Sequence, residues 1–213
     1  MIDRELTPAL LLQAYAGGIF PMAENRDDPA IHWVNPRFRG ILPLDGFHIS
    51  RSLRKTILRG PLTATLNRDF AAVLNRCAAR ETTWINDRIA AAYSALHEKR
   101  FAHSLEIWEG DELAGGVYGV TLGGAFFGES MFSRRRDASK VALAYLVAHL
   151  RACGFTLFDT QFLTPHLASL GGVEITRAEY QARLVEAIAV DALITSQPLP
   201  APASVIQCNT QTS

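Results

Sequence analysis

The sequence predicts an α+β fold in two parts. A small N-terminal domain spans residues 1–60, a larger domain with a mostly antiparallel sheet spans 61–195, and residues 196–213 form a flexible tail. Three observations carry this. Apolar residues recur at helical spacing up to about residue 99, then alternate through 103–132. A long apolar helix and two further helical segments follow that alternating block rather than interleaving with it, as expected of α+β order. From Ser196 the chain turns rich in Pro and Ser.

Thr7-Pro8 ahead of an apolar run is an N-cap with proline at the first helical position, and Gly17-Gly18 ends that helix. Residues 19–48 are rich in Pro, Asp and Asn and read as loops with short strands, IHWV and GILPL among them. Ser50 caps a helix through about Leu58, with Ile49, Leu53 and Ile57 on one face and Arg51, Lys55 and Arg59 on another. A strand at Leu62–Leu66 precedes Asn67, the expected cap of a helix to about Arg80, and another helix runs from about Asn86 to Lys99. HSLEIWEG, ELAGGVYGVTL and AFFGESMF read as strands, with Gly123-Gly124 as a tight hairpin turn. Ser139 or Asp137 caps the long helix that ends at Gly154, and TLFDTQFL is a further strand. Thr164-Pro165 starts a short helix stopped by Gly171-Gly172, and Thr176 with Glu179 forms a capping box for the last helix. This order suits an acyltransferase fold of the N-acetyltransferase type behind the small N-terminal domain.

The 213 residues are 48% apolar, enough for a real core, and carry a formal net charge of zero. A nucleic-acid footprint must therefore be local. The basic residues are nearly all arginine, which suits planar recognition of phosphate. Cys77, Cys153 and Cys208 show no CxxC pairing, and the six histidines have no ligand spacing, so neither a disulfide framework nor a metal site is indicated. MIDRELTPALLLQ lacks a signal-peptide pattern and no apolar run approaches a membrane span; the expected location is the cytoplasm.

Four features suggest chemistry. In Phe126–Phe132, simple strand alternation puts Phe127, Glu129 and Met131 on one face, where a carboxylate needs an arginine of the fold or a cationic ligand. Gly128 beside it permits close approach of a ligand or another backbone. Next, Arg134, Arg135 and Arg136 run into a helix start at Asp137–Lys140, a favourable place for phosphate. Six basic residues (Arg37, Arg39, Arg51, Arg54, Lys55 and Arg59) against Asp45 form a local positive surface suited to an RNA backbone. Finally, Asp159 and Gln161 share a strand face, where the carboxylate is placed to orient the amide. A glutamine amide is a very weak base and assists proton transfer by positioning. For each feature there is a plainer reading: core aromatics, a solvated charge run, an amphipathic surface helix, a structural polar pair.

Together these residues resemble the leucyl/phenylalanyl-tRNA–protein transferase family. The resemblance rests on AYAGGIFPM (14–22), FHISRSLRK (47–55), ETTWI (81–85), AHSLEIW (102–108), GGVYGV (115–120), FFGESMFSRRRDASK (126–140) and FDTQFLTPHLASLGGVEITR (158–177), in the family's order. It implies transfer of Leu or Phe, less readily Met, from tRNA to the α-amine of proteins beginning with Arg or Lys, marking them for degradation, with no metal or coenzyme. It also implies roles: Asp159 and Gln161 for catalysis; Val117, Phe126, Glu129, Met131 and Phe158 for the aminoacyl pocket; Tyr15, Met22 and Trp84 for the terminal adenosine. The tRNA backbone would fall to Arg51, Arg54, Lys55, Arg134, Arg135, Arg136 and Lys140. Two other readings stand beside it. A coenzyme-A acetyltransferase would carry a Q/R-x-x-G-x-G/A turn before the long helix, where this chain has RRRDASK; a non-catalytic RNA-binding module would not need Asp159 or Gln161.

Overall fold

The computed structural model describes residues 6–208; Met1–Glu5 and the last five residues of the expected tail lie outside them. Local signals place most elements. Thr7 accepts a hydrogen bond from Leu10 N and starts helix α1 (Pro8–Ala16). Ser50 does the same for α2 (Arg51–Arg59), Asn86 for α4 (Asp87–Glu98), Thr164 for the short α6 (Pro165–Ala168) and Thr176 for α7 (Arg177–Ile188). The expected cap at Asn67 is instead Asp69, which starts α3 (Phe70–Ala78). Asn67 adopts a left-handed backbone (φ 57°) and spends its side chain on His103 and on the Ser104 amide.

A two-stranded ribbon, β1 (Phe20–Met22) with β2 (His32–Val34), stands apart from a seven-stranded sheet. That sheet comprises β3 (Phe38–Ile41), β4 (Leu62–Leu66), β5 (Ala102–Glu109), β6 (Glu112–Leu122), β7 (Ala125–Ser133), β8 (Leu157–Gln161) and β9 (Val173–Thr176), in the order β4-β5-β6-β7-β8-β3-β9. Every neighbouring pair is antiparallel except β7–β8. The parallel pair is joined by α5 (Ala138–Ala152), as a parallel crossover requires. A mostly antiparallel sheet followed by a helix and a parallel strand is the α+β arrangement expected of the acetyltransferase type.

The sheet separates two apolar layers, since neighbouring residues such as Phe126 and Phe127 belong to different clusters. One layer is built on α5, with α2 behind it; the other gathers α1, α3, α4 and α7. Two expectations about domains need correction. Strand β3 lies between β8 and β9, so residues 1–60 are not a unit apart from the sheet. Nor is the tail free up to residue 208: α8 (Pro202–Cys208) packs on α5 and α2 with Val205 and Ile206 buried, and Arg151 donates to the Cys208 carbonyl. Among the described residues no helix is long and apolar enough to cross a membrane.

Candidate active site

Two departures from regular strand geometry shape the site. In the β6–β7 pair, Tyr118 faces Ser130 and Gly119 faces Gly128, so Glu129 is an extra residue, a β-bulge. The bulge shifts the alternation: Phe127 and Phe132 enter one apolar layer while Phe126 and Met131 enter the other. The expected common face of Phe127, Glu129 and Met131 therefore does not form. In β8, Gln161 sits at φ 59° and the Phe162 amide donates to the Thr160 carbonyl at 2.7 Å, closing a γ-turn. Such a backbone is strained and persists only where its surroundings hold it. Gly40 makes room for it, since a Cβ there would lie 2.6 Å from the backbone of Phe162 and Leu163.

The holder is a buried ion pair. Asp159 is fully buried and Arg39 is 1% exposed. Arg39 Nε and Nη2 donate to the two Asp159 oxygens at 2.9 and 2.6 Å, and Nη1 donates to the Gly18 carbonyl at 2.9 Å. The guanidinium is sandwiched between the rings of Phe20 (4.6 Å) and Tyr180 (4.4 Å). Asp159 also accepts from Tyr180 Oη at 2.7 Å and from the Gln161 amide N–H at 2.8 Å. Arg39 thus leaves the basic surface in which its charge alone had placed it. Asp159 also orients Gln161 differently from expectation, through the backbone N–H, while the side-chain Nε2 donates to Glu129 Oε1 at 3.1 Å.

Glu129 is 8% exposed. Tyr15 and Tyr93 hold it at 2.7 Å each, where the sequence reading asked for an arginine of the fold or a cationic ligand. Burial pushes its carboxyl up to about 7; the nearby Asp159 charge adds to this, while hydrogen bonds from Tyr93 and Tyr15 and the charge of Arg39 oppose it.

Above these groups opens a cavity of about 850 Å³. Val117, Met131, Phe158, Leu143 and Leu167 supply apolar wall; Glu129, Gln161, Thr160 and His166 supply polar wall; Phe20, Met22, Trp84 and the arginines Arg76, Arg80 and Arg134 also line it. Gly128 faces the Phe158 ring: a Cβ there would lie 2.7 Å from it. The close approach foreseen at this glycine is therefore to an aromatic ring.

A family model of leucyl/phenylalanyl-tRNA protein transferase matches residues 41–185, and a model of that family's N-terminal domain matches residues 4–37. The chain belongs to this family. It is 66% identical to a leucyl/phenylalanyl-tRNA–protein transferase of Cereibacter sphaeroides over all of both chains. With a relative of the same name from Ruegeria sp. it shares 62% identity over 98% of this chain and 99% of that one. The fold is shared with FemX, with a TM-score of 0.52 at 13% identity over 78% of this chain and 66% of that one.

The leucyl/phenylalanyl-tRNA–protein transferases are aminoacyltransferases, and the residues expected for that role fall into three groups here. Val117, Glu129, Met131, Phe158, Met22, Trp84, Arg134 and Gln161 line the cavity. Phe126, Tyr15 and Asp159 lie behind it: Phe126 packs edge-on to Phe158 at 5.1 Å, and Tyr15 is fully buried against Glu129. Tyr15 therefore presents no face on which a base can stack. Arg51, Arg54, Lys55, Arg135, Arg136 and Lys140 are outside the lining. Arg135 pairs with Glu109 and Glu112, and Lys140 with Asp137. Asp137 stands at the N-cap of α5 in a left-handed conformation (φ 64°) with no capping bond; Ser133 Oγ accepts from Ser139 N at 3.2 Å instead. Of the three consecutive arginines, only Arg134 reaches the cavity. Sequence reasoning missed Arg76, Arg80, Tyr93 and His166. The i,i+4 spacing of Arg76 and Arg80 was a usable signal, whereas nothing in the apolar face of α4 marks Tyr93 as polar-bonded.

Proposed function

We propose that this transferase passes Leu or Phe, less readily Met, from aminoacyl-tRNA to the α-amine of proteins whose N-terminal residue is Arg or Lys. The product would bear a destabilising N-terminal residue that marks it for degradation, and the reaction takes place in the cytoplasm. One observation carries the reading: a single cavity combines an apolar wall, a fixed Gln161 amide and three arginines. That is the chemistry of one ligand with an apolar acyl group, an ester and phosphates. Val117, Met131 and Phe158 receive the aminoacyl side chain, and apolar sorting tolerates several side chains because one methylene is worth only about 1–3 kcal/mol. Trp84 and Met22 take the terminal adenosine, while Arg134, with Arg76 and Arg80, meets the phosphates; Arg51, Arg54, Lys55, Arg136 and Lys140 contribute more distant tRNA contacts. Gln161 Oε1 accepts an N–H of the incoming amine and aims its lone pair at the ester carbonyl. Asp159 acts through the Gln161 backbone as a positioning residue. The amine forms the new C–N bond and the ester C–O bond to the ribose breaks.

The test is transfer of label from Leu-tRNA or Phe-tRNA to peptides beginning with Arg, Lys or Asp. Label on the Arg and Lys peptides alone is expected. No label on any α-amine rejects the transfer reading, and equal labelling of the Asp peptide rejects the acceptor assignment.

A further inference from the structure

Glu129, which lines the cavity, forms a closed triangle of oxygens with Tyr15 and Tyr93 behind it. Tyr15 Oη lies 2.7 Å from Glu129 Oε1, Tyr93 Oη lies 2.7 Å from Oε2, and the two phenol oxygens are 2.6 Å apart. Three such contacts need three hydrogens. Both phenols are held well above the ordinary tyrosine range, by burial first and by the Glu129 charge next, so each keeps its one hydrogen. With Glu129 ionised, the triangle therefore has two hydrogens for three contacts, and one short oxygen–oxygen contact is left bare. With Glu129 protonated all three close. The direction of the ring is also set. Oε1 accepts from Gln161 Nε2 as well, so it is the carbonyl oxygen. Oε2 then donates to Tyr93, Tyr93 to Tyr15, and Tyr15 to Oε1.

We infer that this ring is the proton acceptor of the transfer reaction: one hydrogen short when Glu129 is ionised, it takes that hydrogen from the α-ammonium of the acceptor protein. The inference rests on the transfer reading above. An α-amine titrates near ~8, so at neutral pH most of the acceptor arrives as an ammonium with no lone pair. The ammonium and the Glu129 carboxylate become a free amine and a neutral carboxylic acid; only the proton moves. The amine then forms the C–N bond, the ester C–O bond breaks, and a second N–H proton ends on the released ribose oxygen. Glu129 afterwards returns its proton to solvent. Gln161 cannot play this part, because its amide oxygen is too weak a base; it holds the amine while anchored on Glu129.

The groups facing Glu129 are Tyr15 from α1, Tyr93 from α4, Tyr118 from β6, Asp159 from β8 and Arg39 from β3. Cys77 of α3 and Arg80 bear on Tyr118 from beyond. Their sum, with burial, brings the carboxyl to about 7, close to the range of the amine it serves.

The experiment is the pH dependence of kcat/KM for an Arg peptide in wild type, Glu129→Gln and Tyr93→Phe. Wild type should fall on the acid side near neutrality, as Glu129 takes up its proton, and level off on the alkaline side, where the amine arrives free and needs no acceptor. Glu129→Gln should transfer only to acceptor that is already a free amine, so it should be slower by roughly tenfold near neutrality and its acid limb should move up to the amine's own range, ~8. Tyr93→Phe, which removes a donor to the carboxylate, should keep that limb but move it to higher pH. A second readout needs no turnover: the infrared carbonyl band of a protonated carboxyl, seen below neutrality in wild type, should vanish above it. Glu129→Gln with the wild-type limb at near wild-type rate overturns the inference, as does absence of that band. Should the Gln variant not fold, the Tyr93→Phe shift and the wild-type band decide the question. Wild-type enzyme that transfers nothing refutes the transfer reading instead, so the two failures are distinguishable.

Discussion

Removing Asp159 strands a charge, and the consequence is measurable. In Asp159→Ala the guanidinium of Arg39 stays at 1% exposure without the two bonds, 2.9 and 2.6 Å, that compensate it. Losing one partner of a buried pair costs about 3–5 kcal/mol, because the other is left uncompensated. Arg39→Leu strands the carboxylate by the same argument and should cost a similar amount. Asp159→Leu/Arg39→Leu removes both charges and leaves three groups unsatisfied: Tyr180 Oη and the Gln161 N–H, which bond Asp159 at 2.7 and 2.8 Å, and the Gly18 carbonyl, which accepts from Arg39 at 2.9 Å. At about 1 kcal/mol each, the double variant should lose only about 3 kcal/mol. Urea unfolding, with midpoint and slope fitted together, provides the four stabilities of the cycle. Single-variant losses that add to the double within about 0.5 kcal/mol would refute the reasoning, since they would show that the pair is not coupled. All three variants should also lose transfer activity, because the strained turn at Gln161 no longer has its anchor. Asp159→Asn, which keeps an acceptor for the Gln161 N–H, should retain more activity than Asp159→Ala.

Two further expectations follow from the same cavity. Gly128→Ala would place a methyl 2.7 Å from the Phe158 ring, which Phe126 backs at 5.1 Å; transfer of Phe should fall more than transfer of Leu, and equal losses would show that Phe158 does not bound the acyl pocket. Glu129→Gln should change the pH profile of stability. The Glu129 carboxyl sits at about 7 when folded against ~4.3 unfolded, so the favourable contribution of its proton is complete below ~4.3 and is lost as pH rises to about 7. The variant lacks that loss and should gain on the order of 3 kcal/mol relative to wild type across this window, with no further change above it; a pH-independent difference in urea melts would show that Glu129 titrates normally.

Much of the secondary structure was legible because its causes are local. Thr7, Ser50, Asn86 and Thr176 announce their helices with side chains that bond an amide three residues on. At α3 the choice went beyond local rules: Asn67 is drawn to His103 and Ser104, and Asp69 caps the helix instead. Composition misled at the tail, since burial of Val205 and Ile206 depends on a groove made by α2 and α5. It misled again at Arg39, whose partner lies 120 residues away. A charge in sequence looks solvated until its counter-charge is placed. Gln161 was marked by its spacing from Asp159, with a structural polar pair as the plainer reading, and Met131 by the stretch Phe126–Phe132; Val117, Phe158 and Trp84 entered as site residues only through a resemblance to known motifs.

The least legible features are also those nearest the chemistry. Strict alternation along β7 and β8 would place every other side chain on one face, and no sequence rule announces the bulge at Glu129 or the γ-turn at Gln161. Yet both are needed together. The bulge swings Glu129 toward Tyr15 and Tyr93, and the turn lets Gln161 leave the alternating pattern of β8 while its amide still reaches Glu129 at 3.1 Å. A regular pair of strands would have paired these backbones fully and left neither side chain free to meet the other. The stabilising elements sit beneath: Asp159 and Arg39 grip the turn, Gly40 yields space for it, and Tyr180 and Phe20 enclose the guanidinium. Local strain at the cavity is thus offset by a buried polar cluster one layer below, which is why Asp159, a residue that does not line the cavity, is proposed above as a positioning residue for transfer.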